Sequence, residues 1–341
     1  MDTQVSSESL RGVTVLVTGA TGFIGSHLVD RLVSEGANVR CLVRATSPRG
    51  GAARYLPSRG AKPVLGDLIT SAGLGEALDG AGIVFHLAGV TKALRASDYQ
   101  LGNVKATQNL LDAMSGGGAR LVHVSSLAAM GPSPDAVPLR EDAEPTPLTL
   151  YGKSKLEGEQ AVWRSIQSSR ATVIRPPVVY GPRDVDMYQI FKAAASGVLV
   201  RIGRLDSYFS FIYVADLVDG LILAAQRSVA AGKTYFLANP NPVSWTEFAA
   251  IAATTMLKKL RTFTAPVWAA YLAGSCADLL SRLTGRPGIL SRDKILDARQ
   301  RYWICDPGRA ASELGFQAQT SLREGVAATL EWYRHEQWLT Y

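Results

Sequence analysis

The sequence is poor in the residues that build disulfides and metal centres. It has three cysteines, Cys41, Cys276 and Cys305, spread over 341 residues, and four histidines. An odd, sparse cysteine set argues against a disulfide framework and for a reducing compartment, so a cytoplasmic location is expected. His27, His86, His123 and His335 share no ligand-like spacing with the cysteines, and no metal is expected. No block of five like charges occurs, so nucleic acid is not an expected partner. Residues 1–11 lack the charged and apolar stretches of a signal peptide. The most apolar segment, 263–280, contains Pro266 and Asp278 and falls short of a spanning helix. It reads as a buried helix of a second lobe, and membrane contact is not expected.

Apolar residues, by contrast, make up 47% of the chain, ample for a sizeable core. The length suits one large α/β domain, alone or with a smaller lobe. Lys and Arg outnumber Asp and Glu by 36 to 29, a formal charge of +7 spread along the chain, which suits an anionic ligand.

Short β-branched runs at 13–17, 38–43, 83–87, 121–124 and 172–174 alternate with helical patterns at 26–34, 99–114 and 151–168. Such alternation predicts a Rossmann-type, doubly wound parallel sheet. Beyond Pro176 helices dominate, with short strands near 211–214 and 235–237. Residues 1–176 are therefore expected to form a dinucleotide-binding domain to which some later segments return. Residues 177–341 are expected to form mainly a smaller, helical substrate lobe. Helix starts there are well signed by Ser244 with Glu247, Ser321 with Glu324, and Asp306-Pro307; Gly315 signs a stop.

The first strand runs into Thr18-Gly19-Ala20-Thr21-Gly22-Phe23-Ile24-Gly25 and then a helix. The glycines permit a tight turn and bring a pyrophosphate close to the helix N-terminus, where free N–H groups and the helix dipole stabilise its charge. The second strand ends at Arg44, where NAD-binding chains carry an acid; an arginine there can pair with a 2′-phosphate. NADP(H) is thus the favoured cofactor, with NAD(H) as the alternative and Arg49 as a helper. Asp67, beside Leu68, is placed to accept from the adenine amine, and His86-Leu87-Ala88-Gly89 to line the pyrophosphate and nicotinamide ribose.

Tyr151 and Lys155 are one helical turn apart, so phenol and ammonium share a face. A nearby ammonium lowers a phenol's pKa and fits it to exchange a proton with a carbonyl–carbinol pair. Upstream, Ser125 and Ser126 end a strand at the cofactor crevice.

Together these motifs resemble an extended (atypical) short-chain dehydrogenase/reductase of the NAD(P)-dependent epimerase/dehydratase superfamily. The resemblance also rests on Asn103-Val104, Thr107, Asn109-Leu110-Leu111, Arg175-Pro176, Tyr180-Gly181-Pro182, Phe211-Ile212-Tyr213-Val214 with Asp216, and Glu313-Leu314-Gly315-Phe316. It implies that Tyr151 is the general acid/base, that Lys155 tunes it and binds the nicotinamide ribose, and that Ser126 orients substrate. Thr21, Phe23, Ile24, Tyr151, Lys155, Pro177 and Val178 are placed at the cofactor, and Ser125 and Phe209 in the substrate pocket. It further implies a homodimer built on the 99–114 and Tyr151 helices.

Departures from the family pattern narrow the chemistry. The 4,6-dehydratases carry an acidic pair after the catalytic hydroxyl, where Leu127-Ala128-Ala129 stand here. Sugar-nucleotide epimerases carry an asparagine and an arginine at the positions of Val178 and Phe209. Arg183, Arg201 and Arg204 are the cations that could replace them. The apolar substitutions are similar to the 3β-hydroxysteroid dehydrogenase-like and dihydroflavonol reductase-like branches. The expected activity is hydride transfer between NAD(P) and a ketone or secondary alcohol on a largely apolar, steroid-like or β-keto skeleton. A nucleotide-sugar 4-epimerase using bound NAD is the alternative, and a non-catalytic dinucleotide sensor the second alternative.

Overall fold

The computed structural model describes residues 9–45, 60–165, 168–203, 205–284 and 292–341. Arg49, Arg204 and the first eight residues lie outside the described residues. Seven strands make the main sheet: β1 (Thr14–Thr18), β2 (Asn38–Val43), β3 (Lys62–Leu65), β4 (Ile83–His86), β5 (Arg120–Val124), β6 (Ala171–Arg175) and β7 (Lys233–Phe236). Their order is β7-β6-β5-β4-β1-β2-β3, and every neighbouring pair is parallel. Strand order reverses between β1 and β4, which opens a crevice at the carboxyl ends of these two strands.

Parallel strands covered on both faces must be apolar on both, and these are. Val15, Val17, Phe85 and Val124 pack on one side with Leu28 and Leu32 of helix Phe23–Ser34. Leu16, Val84, Leu121 and Val173 pack on the other with Leu110 of helix Ala106–Ala113 and Val162 of helix Leu150–Arg164. The expected 99–114 helix is interrupted. Helices Ala96–Tyr99 and Ala106–Ala113 are joined through a π-helical turn, Gln100–Lys105. Such a turn inserts an extra residue and re-aims the side chains on it.

Two strands escape the sequence reading as members of this sheet. β3 has an exposed, charged start, and β7 sits at the opposite edge although it follows the second lobe's first strands. Helices Val214–Gln226 and Gly308–Leu314 return with β7, and their Leu217, Leu221, Ile222 and Leu314 join the core of Val15 and Phe85. A second core gathers Tyr180, Phe191, Phe211, Phe248, Leu330 and Tyr333; Phe211 stacks on Phe248 at 4.8 Å between centroids.

The helix signals appear in physical form. Ser321 and Glu324 form a reciprocal capping box, and Ser244 accepts from Glu247 N. Asp306 Oδ1 accepts from Gly308 N at 2.8 Å, which places Pro307 at the cap, one residue later than expected. Gly315, at φ +73°, ends that helix in the left-handed conformation glycine favours.

The 263–280 reading needs correction. Arg261–Ala265 is a strand paired in parallel with Val198–Ile202, and the helix is Val267–Thr284, with Trp268 and Leu272 exposed rather than buried. Among the described residues no helix is long and apolar enough to cross a membrane.

Helix Leu150–Arg164 is tied to β6 through Glu159 and Arg175, both almost fully buried. Arg175 Nη2 lies 2.6 Å from Glu159 Oε2, and Nε donates to Oε1 at 2.9 Å. Removing one partner strands a buried charge. Glu159→Ala is expected to destabilise the protein by about 3–5 kcal/mol in urea unfolding, and Glu159→Ala/Arg175→Met to recover most of that loss. Equal stability of the single and double variants would contradict this.

Candidate active site

A cavity of about 260 Å³ lies at the carboxyl ends of the strands. Gly19, Thr21, Gly22, Arg44, Asp67, Leu68, Leu87, Ala88 and Gly89 all line it. Gly19 has φ +72°, and a Cβ there would come within 2.6 Å of Ala88 N. A Cβ on Gly25 would lie 2.2 Å from Gly19 O, so this glycine lets the helix start against the turn. Phe23 and Ile24 form that helix's half-buried first turn and do not line the cavity. Asp67 Oδ1 accepts from Ile69 N at 2.6 Å and Thr70 N at 3.2 Å, so one carboxylate oxygen shapes its own loop. Arg44 is exposed at the edge. A glycine cradle at a helix N-terminus, a cation beside it and a carboxylate at the far end fit a dinucleotide.

The loop after β4 is held from beneath. Asn103, on the π turn, accepts from Val90 N at 2.7 Å and donates to Val90 O and Ser154 Oγ. His86 is a buried strut. The Thr107 hydroxyl donates to Asn103 O, so it accepts from His86 Nε2 at 3.0 Å; His86 Nδ1 then accepts from the Thr18 hydroxyl at 2.7 Å. Burial, with the Lys155 charge adding to it, pushes the imidazole down to about 3, so it stays neutral. His123 lies against it, centroids 5.2 Å apart.

A larger cavity, about 410 Å³, holds the catalytic candidates Ser126 and Tyr151. Pro177 and Val178, expected at the cofactor, line this cavity, as does Phe209. Ser125 does not; its hydroxyl is buried behind the strand end. Lys155 lies beneath, its Nζ donating to Val124 O at 2.7 Å. Burial lowers its pKa to about 8, opposed by Glu159. The Tyr151 phenol is pushed up to about 12, chiefly by burial, while a hydrogen bond with Ser126 pulls the other way. The expected lowering by the ammonium is therefore not found. Burial disfavours the phenolate, and the ammonium is spent on a backbone carbonyl.

Sequence reading missed half of the residues that line the cavity. Trp245 and Trp303 line it beside Phe209, and Arg201, Asp206 and Asp297 supply polar groups. The short strands Tyr208–Phe209, Val243–Ser244 and Tyr302–Trp303 pair to bring these distant segments together, and no local signal marks that pairing. Arg183, considered as an anion partner, instead meets Asp30 at 2.9 Å and Ser26 at 3.1 Å on the first helix.

The NAD dependent epimerase/dehydratase family profile matches residues 15–238. The chain belongs to this family. Among relatives, it is 31% identical over 329 residues to ceramide reductase of Caulobacter vibrioides, covering 96% of each chain. It is 30% identical to 4-hydroxy-2-methyl-3-oxo-4-farnesyl-3,4-dihydroquinoline-1-oxide ketoreductase of Stigmatella aurantiaca, covering 92% of this chain and 94% of the other. Among solved structures, MoeE5 in complex with UDP-glucose and NAD superposes with a TM-score of 0.75 at 29% identity, covering 95% and 99% of the two chains. Members of the family are NAD-dependent oxidoreductases or epimerases, and this fold carries that machinery.

Tyr151→Phe is expected to lower kcat by about 10²–10⁴-fold while leaving dinucleotide affinity unchanged in a fluorescence titration. Lys155→Met is expected to weaken both. Near-normal turnover by Tyr151→Phe would remove the phenol from the chemistry.

Proposed function

We propose that this protein is a cytoplasmic, NADPH-preferring reductase of a ketone carried on a long apolar skeleton. The observation that carries the reading is the wall around the phenol. Pro177, Val178, Phe209, Trp245 and Trp303 surround Tyr151, with Arg201, Asp206 and Asp297 as the polar groups. That arrangement suits an amphiphile with a greasy body and a hydrogen-bonding end. The names of the ceramide reductase and of the farnesyl-bearing 3-oxo ketoreductase describe reductions of such molecules.

In this reading Gly19, Gly22 and the helix N-terminus would hold the pyrophosphate, and Arg44 would pair with the 2′-phosphate. The chemistry that a nicotinamide would supply there is hydride for the ketone carbon. Tyr151 gives its phenolic proton to the ketone oxygen, and Ser126 hydrogen-bonds the same oxygen. Lys155 below stabilises the tyrosinate as it forms. A phenol resting near 12 is in its acid form at neutral pH, which is the form reduction consumes. Leu127 and Ala128 stand where a dehydratase carries its acidic pair, directly after the catalytic hydroxyl.

Epimerisation of a nucleotide sugar remains the competing reading, supported by the likeness to MoeE5 with UDP-glucose and NAD. It requires a diphosphate anchor in the substrate cavity. Arg201 is the one cation lining it among the described residues, since Arg183 is engaged with Asp30. A homodimer through the 96–113 and 150–164 helices is also proposed; Leu101 and Leu150 are exposed there.

Two measurements test the reading. The purified protein is denatured and any released dinucleotide identified, then emptied protein is titrated with NADPH and NADH. Tighter NADPH binding that Arg44→Ala abolishes is expected; tightly retained NAD would select the epimerase instead. For reduction, kcat/KM reports the free enzyme. It is expected to be flat below pH 8 and to fall above about pH 8, where the Lys155 ammonium loses its proton. Lys155→Arg should move the fall to higher pH, and an unmoved fall would assign it to another group.

A further inference from the structure

The second lobe carries an apolar surface that its fold does not cover. The parallel ribbon of Val198–Ile202 and Arg261–Ala265 turns Leu199 inward, buried, and leaves Val198 and Val200 outside. Val200 is 59% exposed and paired with Phe263, which is 54% exposed. Beyond the ribbon, the helix Val267–Thr284 begins with Trp268 at 71% and Leu272 at 60% exposure, one turn apart on the same face. The loop leading into the second strand holds Leu257, 94% exposed and at φ +57°. Gly203 N donates to Ala265 O, and Arg261 N to Gly197 O, so the ends of the ribbon are tied next to the loop on one side and the helix start on the other. Scattered exposed leucines are ordinary; a contiguous aromatic and aliphatic patch is not.

Two further observations say what this surface meets. The first is charge. No aspartate or glutamate occurs between Phe248 and Ala277, nor between Met187 and Leu205. The same segments carry Lys192, Arg201, Lys258, Lys259 and Arg261. Lys192, Lys258, Lys259 and Arg261 are exposed. Apolar side chains interleaved with cations and no anions complement an anionic lipid surface. The second is position. Val200, Arg201 and Ile202 line the cavity that holds Tyr151, so the patch is the rim of the substrate entrance. Trp268 adds an amphipathic ring of the type that sits well at a headgroup boundary.

We propose that this rim is a docking surface for an anionic phospholipid bilayer. The protein rests on the membrane through Phe263, Trp268, Leu272 and the basic loop, and its apolar substrate enters the cavity past Val200 without crossing water. This runs against the expectation, drawn from the sequence, of no membrane contact. The delivery role rests on the reductase reading above; the docking itself does not.

The test is flotation of the full-length protein with vesicles of phosphatidylcholine, with and without phosphatidylglycerol. Binding is expected to vesicles containing phosphatidylglycerol and to weaken severalfold as NaCl is raised from about 0.1 to 0.5 M. Trp268→Ser/Leu272→Ser is expected to reduce binding by about tenfold or more, and Lys258→Glu/Lys259→Glu/Arg261→Glu to abolish the preference for anionic vesicles. Both variants should keep the wild-type unfolding midpoint and dinucleotide affinity. Wild-type protein that stays with the soluble fraction overturns the proposal, as does binding that neither variant alters. Wild-type self-association lost in Trp268→Ser/Leu272→Ser, without vesicle binding, would assign the patch to a second copy of the chain. Should no ketone be reduced yet vesicles bind, the reductase reading falls and the docking surface stands.

Discussion

Helix Leu150–Arg164 is fixed to the sheet by two buried charges, and the placement of the chemistry follows from them. Tyr151, Lys155 and Glu159 are spaced one turn apart and form a column on one face. Lys155 is pinned to Val124 O at the end of β5, and Glu159 to Arg175 at the end of β6. With two points of the column held on adjacent strands, the third has little freedom. The phenol stands over the exit of β5, within a hydrogen bond of Ser126. A loose helix would leave the phenol an ångström or more adrift, and reaction geometry tolerates little of that. The same column brings Lys155 toward the loop that Asn103 braces, since a Cβ on Gly89 would lie 3.8 Å from its Nζ.

Locally encoded features could be read from the sequence. Five of the seven strands stand within a residue or two of the β-branched runs, because burial on both faces leaves a continuous apolar stretch. The glycine turn at 19–25 is equally legible, since steric demand falls on specific residues. β3 is not legible because an exposed edge strand need not be apolar, and the sheet-edge role of β7 is not legible because its apolar residues mark a strand without marking its partner. The π turn at 100–105 leaves no periodicity of its own, and with it went the clamp of Asn103 on Val90. The cavity wall is illegible for a different reason: Phe209, Trp245 and Trp303 meet only through pairing of two-residue strands. Tyr151 shows a third limit. One-turn spacing to a lysine is visible, but depth of burial is not, and burial decides the sign of the phenol's shift.

That sign bears on the resting state of Tyr151. In a wet, polar site the ammonium would stabilise tyrosinate, and the residue would rest as a base suited to oxidising alcohols. Here burial keeps the proton on the phenol. In the proposed reductase reading, recognition of an apolar substrate and acid catalysis both come from one feature, the desolvation of the space above Ser126. The neutral state of His86 has the same origin, and it lets that ring serve as a fixed hydrogen-bonded strut rather than a competing charge.

Such a site depends on staying dry, and its entrance is where it is weakest. Val200 and Ile202 border the cavity, and exposed apolar residues continue along the ribbon at Val198 and Phe263. Against water, this rim exposes Trp268 and Phe263 with no compensating contact. Against a bilayer, the same side chains are buried, the mouth opens onto hydrocarbon, and bulk water loses its path to Tyr151. Exclusion of water strengthens the interactions of Lys155 and Ser126 with the developing charge. Membrane seating would then raise the chemical step as well as substrate supply, two effects that a detergent-solubilised ketone would separate by restoring supply without closing the mouth.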